Sequence, residues 1–232
     1  MKKILLIVLS MFFILTSSAH ATLIDRGGGM IYDSDLNITW LQDANYANTT
    51  GYDDTLYGYN TNGLMTWADA MTWAQNLEYG GYSDWRLPTT LKPDPSCNIV
   101  WWSMNCTGSE MGHLFYTELG NKGYAATDDT YPQPGWGLKT WSPFNNLQWP
   151  HGSCSWSSTE GDFYQETMAF CFEFGAQGSF DKEGNKEYAW AVRSGDVSAP
   201  ASTHVPEPGT LMLLGSGLAG MVVWRKKNSK QK

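Results

Sequence analysis

The pattern of apolar and polar positions divides the chain into two continuous apolar runs near its ends and a middle of short apolar patches between polar stretches. One run, Ile4 to Leu15, follows Met1-Lys2-Lys3; the other, Thr210 to Trp224, precedes Arg225-Lys226-Lys227. In the middle, Gly27-Gly28-Gly29 reads as a flexible entry. Met30-Ile31-Tyr32 and Ile38-Thr39-Trp40-Leu41 then predict two strands across the turn Asp33 to Asn37. Asn45 to Gly63 is polar and predicts a long loop. Thr66 predicts a helix cap with Asp69 near capping-box spacing. Trp67, Ala70, Met71, Ala74 and Leu77 share one face of that helix, and Gly80-Gly81 marks its end. Ser109 predicts the cap of a second helix, with Met111, Leu114, Phe115 and Leu119 inward and Gly120 at its end. Gly123 to Pro150 reads as irregular, and Met168–Phe174 and Glu187–Arg193 as closing strands.

These elements predict an α+β domain: a loop-rich mixed sheet with two helices, followed by one C-terminal hydrophobic helix. Twelve Trp, twelve Tyr and 24 Gly fit loops pinned by aromatics rather than a helical bundle. The domain partition is 1–21, a leader; 22–197, the main domain; 198–204, a Pro/Ser/Ala/Thr linker; and 205–232, a tail. The main domain is long enough for a sizeable core.

The leader reads as a secretory signal peptide. It has a basic start, an apolar run and small residues at Ala19 and Ala21, so signal peptidase is expected to cleave after Ala21. A retained N-terminal anchor is the alternative. From Thr22 to Trp224 there are eight Lys/Arg against 23 Asp/Glu, a net charge of −15. Such acidity repels nucleic acid and other polyanions and tolerates neutral sugars and cations.

Cys97, Cys106, Cys154 and Cys171 all lie in the exported part, where an even count predicts two disulfides. Three connectivities exist. Cys97–Cys106 and Cys154–Cys171 are favoured, the second because a turn centred between Asp162 and Phe163 puts Cys154 opposite Cys171 and Trp156 opposite Ala169. No C-x-x-C pair supports zinc at these cysteines. Asp33, Asp35 and Asn37 imitate the start of a calcium loop, but Ile38 and Ala44 stand where its Gly and Glu belong, so no calcium cofactor is assigned. His113 and His151, the histidines of the middle, read as structural, and no catalytic constellation emerges. Gly215 to Gly220 spells G-x-G-x-x-G inside the tail, without the strand a dinucleotide site requires. Trp136 and Trp149 are candidate ligand contacts, since loop tryptophans offer an apolar face to sugar rings.

Val205-Pro206-Glu207-Pro208, an apolar run ending at Trp224 and the stop Arg225-Lys226-Lys227 together resemble the PEP-CTERM sorting signal of Gram-negative bacteria. That signal is also known under an ice-binding C-terminal label, which says nothing about ice here. The resemblance implies transient insertion in the inner membrane, an exosortase partner, and delivery to the cell surface or an exopolysaccharide matrix. The run of 15 residues spans roughly 22 Å, short of a ~30 Å bilayer core, so the motif and the basic stop carry the assignment. A second resemblance rests on Trp67-Ala68-Asp69-Ala70, Gly81-Tyr82-Ser83-Asp84-Trp85-Arg86-Leu87-Pro88-Thr89, Trp156-Ser157-Ser158-Thr159 and Tyr188 to Arg193. These are similar to the Lcl C-terminal domain family, departing from it at Ser155, at Thr90-Leu91 and in a closing strand without cysteine. The resemblance implies a C-type-lectin-like fold, distantly shared with formylglycine-generating enzymes. The expected function is a non-enzymatic surface or matrix protein binding a neutral glycan or another matrix component. The alternatives are a structural, self-associating module and, remotely, an oxidoreductase-like enzyme. Gln133-Pro134-Gly135 lacks the Asp of a lectin calcium triplet.

Overall fold

The computed structural model describes residues 23–97, 103–148 and 154–197. The chain divides after Val197, and the described residues all belong to the unit before that boundary. The leader residues Ala19 and Ala21, the tail and its apolar helix, Trp149 and His151 lie outside the described residues. Among the described residues no helix is long and apolar enough to cross a membrane.

Two sheets form the frame. The first has four antiparallel strands in the order β1 (Leu23–Asp25), β2 (Met30–Asp33), β3 (Ile38–Leu41) and β10 (Val192–Ser194). The second has six, in the order β4 (Leu64–Met65), β9 (Glu187–Tyr188), β6 (Ser155–Glu160), β7 (Glu166–Cys171), β8 (Ala176–Asp181) and β5 (Ser103–Met104). Among these strands only β6 and β9 pair in parallel. The single mixed sheet expected from sequence is thus two sheets. The reason lies at residues 187–193, expected to form one strand. Ala189, Trp190 and Ala191 break it into β9 and β10, and the chain crosses between sheets there, fully buried. A small-large-small triplet lets backbone pass between the layers while the indole fills the gap. Trp190 packs on Trp40 at 4.7 Å, Phe144 at 4.9 Å and Phe172 at 5.9 Å between ring centroids, and its indole N–H donates to the Leu41 carbonyl at 2.8 Å. Trp156 is equally buried and gives its indole N–H to the Met65 carbonyl. Both indoles thereby satisfy their polar atom while filling the core.

The β2–β3 hairpin forms as expected, with Met30 opposite Leu41 and Asp33 opposite Ile38. The three entry glycines are a tight turn between β1 and β2 rather than a loose lead-in, each at positive φ. The β6–β7 register places Trp156 opposite Ala169, then slips by two residues at a bulge before Glu160 meets Thr167. The closing strand begins at Glu166 and stops at Cys171; Phe172 to Phe174 enter a turn that ends at Gly175, φ 66°. β8, unforeseen in Ala176-Gln177-Gly178-Ser179, pairs with β7 over six positions.

Among the described residues four short helices occur where two were expected. Helices α1 (Tyr46–Thr49) and α2 (Tyr52–Tyr57) occupy the stretch read as a loop. That stretch folds because buried Asp53 accepts through Oδ2 from Thr61 N, Thr61 Oγ1 and Gly63 N. Helix α3 (Trp67–Gln75) is capped by Thr66, whose Oγ1 accepts from Asp69 N at 3.3 Å and donates to Asp69 Oδ2 at 2.7 Å. Thr66 N–H, which a capping box would give to residue 69, goes to the Tyr57 hydroxyl, tying α2 to α3. The helix stops at Asn76, and Gly80-Gly81 instead turn the chain between Tyr79 and Tyr82. Helix α4 (Glu110–His113) runs into one π-helical turn, Leu114–Glu118. Ser109 stands at the cap position without capping: its hydroxyl accepts from Leu91 N and donates to Asp94.

Candidate functional site

The structure joins Cys97 to Cys106 and Cys154 to Cys171. The first bridge closes a loop organised by Asp94, whose carboxylate receives Ser96 N and Oγ, Gly108 N and Ser109 Oγ. Asp94, Cys97 and Cys106 lie close enough for a shared ion, but the sulfurs are bonded to each other and the carboxylate is spent on the loop. A groove of about 930 Å³ runs beside this loop over Met168, Gln177 and Phe180. Residues 98–102, which join Cys97 to Ser103 on its rim, lie outside the described residues.

Trp136 sits between two turns fixed by backbone hydrogen bonds, Trp136 N to Gln133 O and Gly137 N to Lys122 O. Its ring lies parallel to Phe174, 5.9 Å between centroids and 7° between planes. Tyr124 meets it edge-on at 4.9 Å, and Tyr131, 70 % exposed, extends the row. A shallow groove of about 250 Å³ opens at Trp136, lined by Gly135, Trp136, Gly137, Leu138, Lys139 and Glu173. Trp136 is therefore half-buried and braced, with an apolar recess and charged side chains at its edge. Gln133 donates its side-chain amide to the Gly123 and Ala125 carbonyls, so it serves the loop; Gly135, at φ 79°, holds a backbone an Asp would strain. Trp141, 50 % exposed, is a more open indole than Trp136 in the same stretch.

A third constellation was not legible in the sequence. Asp33 is fully buried, and its Oδ1 accepts the Asp35 and Leu36 N–H groups at 3.1 Å each, which makes the hairpin turn. Asn37 accepts from the Tyr32 hydroxyl instead, so Asp33, Asp35 and Asn37 do not assemble as a calcium loop. Asp33 faces the α4 segment, where His113 Nε2 lies 3.3 Å from Glu118 Oε1 and 3.9 Å from Asp35 Oδ2. Burial pushes the carboxyl pKa of Asp33 up, and burial followed by the charge of Asp33 raises that of Glu118. The signal that could have found this site, a π-helical turn joining His113 to Glu118, has no sequence signature.

Glu187 is the other perturbed carboxyl. Enclosed between β4 and the start of β6, it accepts Cys154 N at 2.7 Å, and burial outweighs that bond and pushes its pKa up to about 7.

Comparison with known families decides the tail. Residues 204–227 carry a PEP-CTERM protein-sorting motif. The match contains Val205, Pro206, Glu207 and Pro208 and ends at Lys227, after Trp224, Arg225 and Lys226. This motif is recognised by an exosortase and implies export across the membrane with surface or extracellular placement. No curated protein and no solved structure matches this chain.

Proposed function

We propose that the exported domain is a non-enzymatic binding module for a neutral glycan or a matrix component, displayed at the cell surface or in an exopolysaccharide matrix. The observation that carries this reading is Trp136, which lines a shallow groove and is braced from behind by Phe174 and Tyr124, with exposed Tyr131 next to Tyr124. Aromatic faces take up the apolar side of a sugar ring, and bracing removes the entropy cost of ordering them on binding. The acidity of the exported part disfavours polyanionic polysaccharides and favours neutral ones. The similarity of four sequence motifs to Lcl C-terminal domains adds a C-type-lectin-like architecture to the proposal. A neutral-glycan array probed with the purified exported protein should give hits that Trp136→Ala abolishes while circular dichroism shows the variant still folded at the assay temperature. An array blank with and without calcium, or hits indifferent to Trp136→Ala, would sink the proposal.

Self-association is the second reading, favoured by Phe163 and Tyr164, 73 % and 93 % exposed at the tip of the β6–β7 hairpin. Sedimentation that shifts with concentration, and loses that shift in Phe163→Ser/Tyr164→Ser, would place function there. An enzyme of the formylglycine-generating kind would need a reactive thiol pair, and Cys154 and Cys171 are bonded to each other. Thiol titration of the native protein tests this, and two reactive thiols would reopen it.

A further inference from the structure

Asp33 and Glu118 are two buried carboxyls facing one imidazole across segments far apart in sequence. One carboxylate oxygen from each and a ring nitrogen of His113 lie within 4.8 Å of one another. Asp33 Oδ2 is buried and makes no well-formed hydrogen bond, and the Glu118 side chain is only 1 % exposed. The Trp40 indole N–H, also buried and without a well-formed hydrogen bond, leans on the Asp33 carboxyl. Among the described residues no lysine or arginine pairs with either carboxyl, and the remaining charged neighbour is another acid, Asp35. Two buried acids beside a third thus face a single imidazole, with no lysine or arginine among them.

The helix is built to present this pair. On an α-helix, residues five apart point about 140° away from each other. The π-helical turn, closed by Leu119 N to Leu114 O, narrows that divergence and sets His113 Nε2 against Glu118 Oε1. Their 3.3 Å separation matches the roughly 3.3 Å edge of a tetrahedron with metal–ligand bonds of about 2.0–2.1 Å. Asp35, its side chain 40 % exposed, stands at the rim beside His113.

We propose that Asp33, His113 and Glu118 form a binding site for a divalent transition-metal ion. Imidazole with two carboxylates suits zinc and its first-row neighbours, whereas calcium takes six to eight oxygen ligands. The ion would clip the β2–β3 turn of the first sheet to the π-helical turn.

The test uses the full chain, exported to an oxidising periplasm, purified with both disulfides and stripped with chelator. Zinc titrated by calorimetry should bind at one equivalent per chain and raise the melting temperature. Cobalt should take the same site and show visible d–d absorption. Glu118→Gln and His113→Gln should each weaken zinc by more than the roughly 10–100-fold typical of outer-shell substitutions. Folding of each variant is checked by circular dichroism, and Asp35→Asn at the rim should lose less. Absence of saturable zinc binding in the wild type, zinc affinity unchanged in both folded variants, or calcium bound more tightly than zinc would each overturn the proposal.

Discussion

Replacing Glu187 by glutamine should remove a large part of the decline in stability between about pH 5 and pH 7. The carboxyl is held at about 7 in the folded domain against an ordinary 4.5. Below pH 4.5 it is protonated in both states and costs nothing. Between 4.5 and 7 the unfolded chain ionises while the folded domain keeps its proton, so stability falls as pH rises. Above pH 7 the loss is complete, and at about 1.4 kcal/mol per pH unit it amounts to about 3 kcal/mol. The glutamine amide retains a carbonyl oxygen for Cys154 N and does not titrate. Asp33 and Glu118 are raised as well and pull in the same direction, so the informative quantity is the difference between wild type and variant. Urea unfolding of the disulfide-intact protein, followed by tryptophan fluorescence at half-unit steps from about pH 4 to 8, measures it. The two stability curves should diverge by about 3 kcal/mol across this range. Parallel curves with equal m-values would refute the assignment of a buried, protonated Glu187.

Three further outcomes follow from the same structure. Trp190→Ala removes the indole between the sheets and its bond to Leu41, and should cost about 3–5 kcal/mol in urea unfolding, read as a lower midpoint. Replacing Cys154 and Cys171 together by alanine opens a loop of separation 17 and should cost about 3 kcal/mol by loop entropy, read as a lower urea midpoint. Replacing Pro206 and Glu207 by alanine in the native host should stop exosortase processing, seen as a higher-mass, membrane-associated form on immunoblot.

The features legible in the sequence were local ones. The Asp33–Asn37 turn, the Thr66 cap and the Cys154–Cys171 register each depend on residues within one hairpin or one helical turn. The sorting motif was legible for the same reason, since its parts are contiguous. The rest depends on distant partners. β8 lacks the β-branched residues that mark a strand and exists because β7 offers it a full ladder. Helices α1 and α2 hide in a polar run because one buried carboxylate, Asp53, gathers the chain beyond them. Of the aromatic site, Trp136 was visible, but its bracing by Phe174, from another part of the chain, was not. His113 read as structural because its partner Asp33 lies far away in the sequence and its partner Glu118 at a spacing no regular helix brings together.

Strand β10 also has a mechanical meaning. It is the last strand before residue 198, so any load passed along the chain from the sorting tail enters the domain there. Among the described residues β10 ends its sheet, paired along its length with β3 and bridged on the other side only at Val192, by Arg86. The end nearer the tail, Arg193 and Ser194, is the part most easily peeled. Two guanidinium–carboxylate pairs reinforce it. Arg193 grips both oxygens of Asp84 at 2.8 and 3.0 Å, and Arg26 grips both oxygens of Asp196 just beyond the strand. These two clamps hold the seam by charge as well as by backbone, so its resistance to traction should weaken with salt.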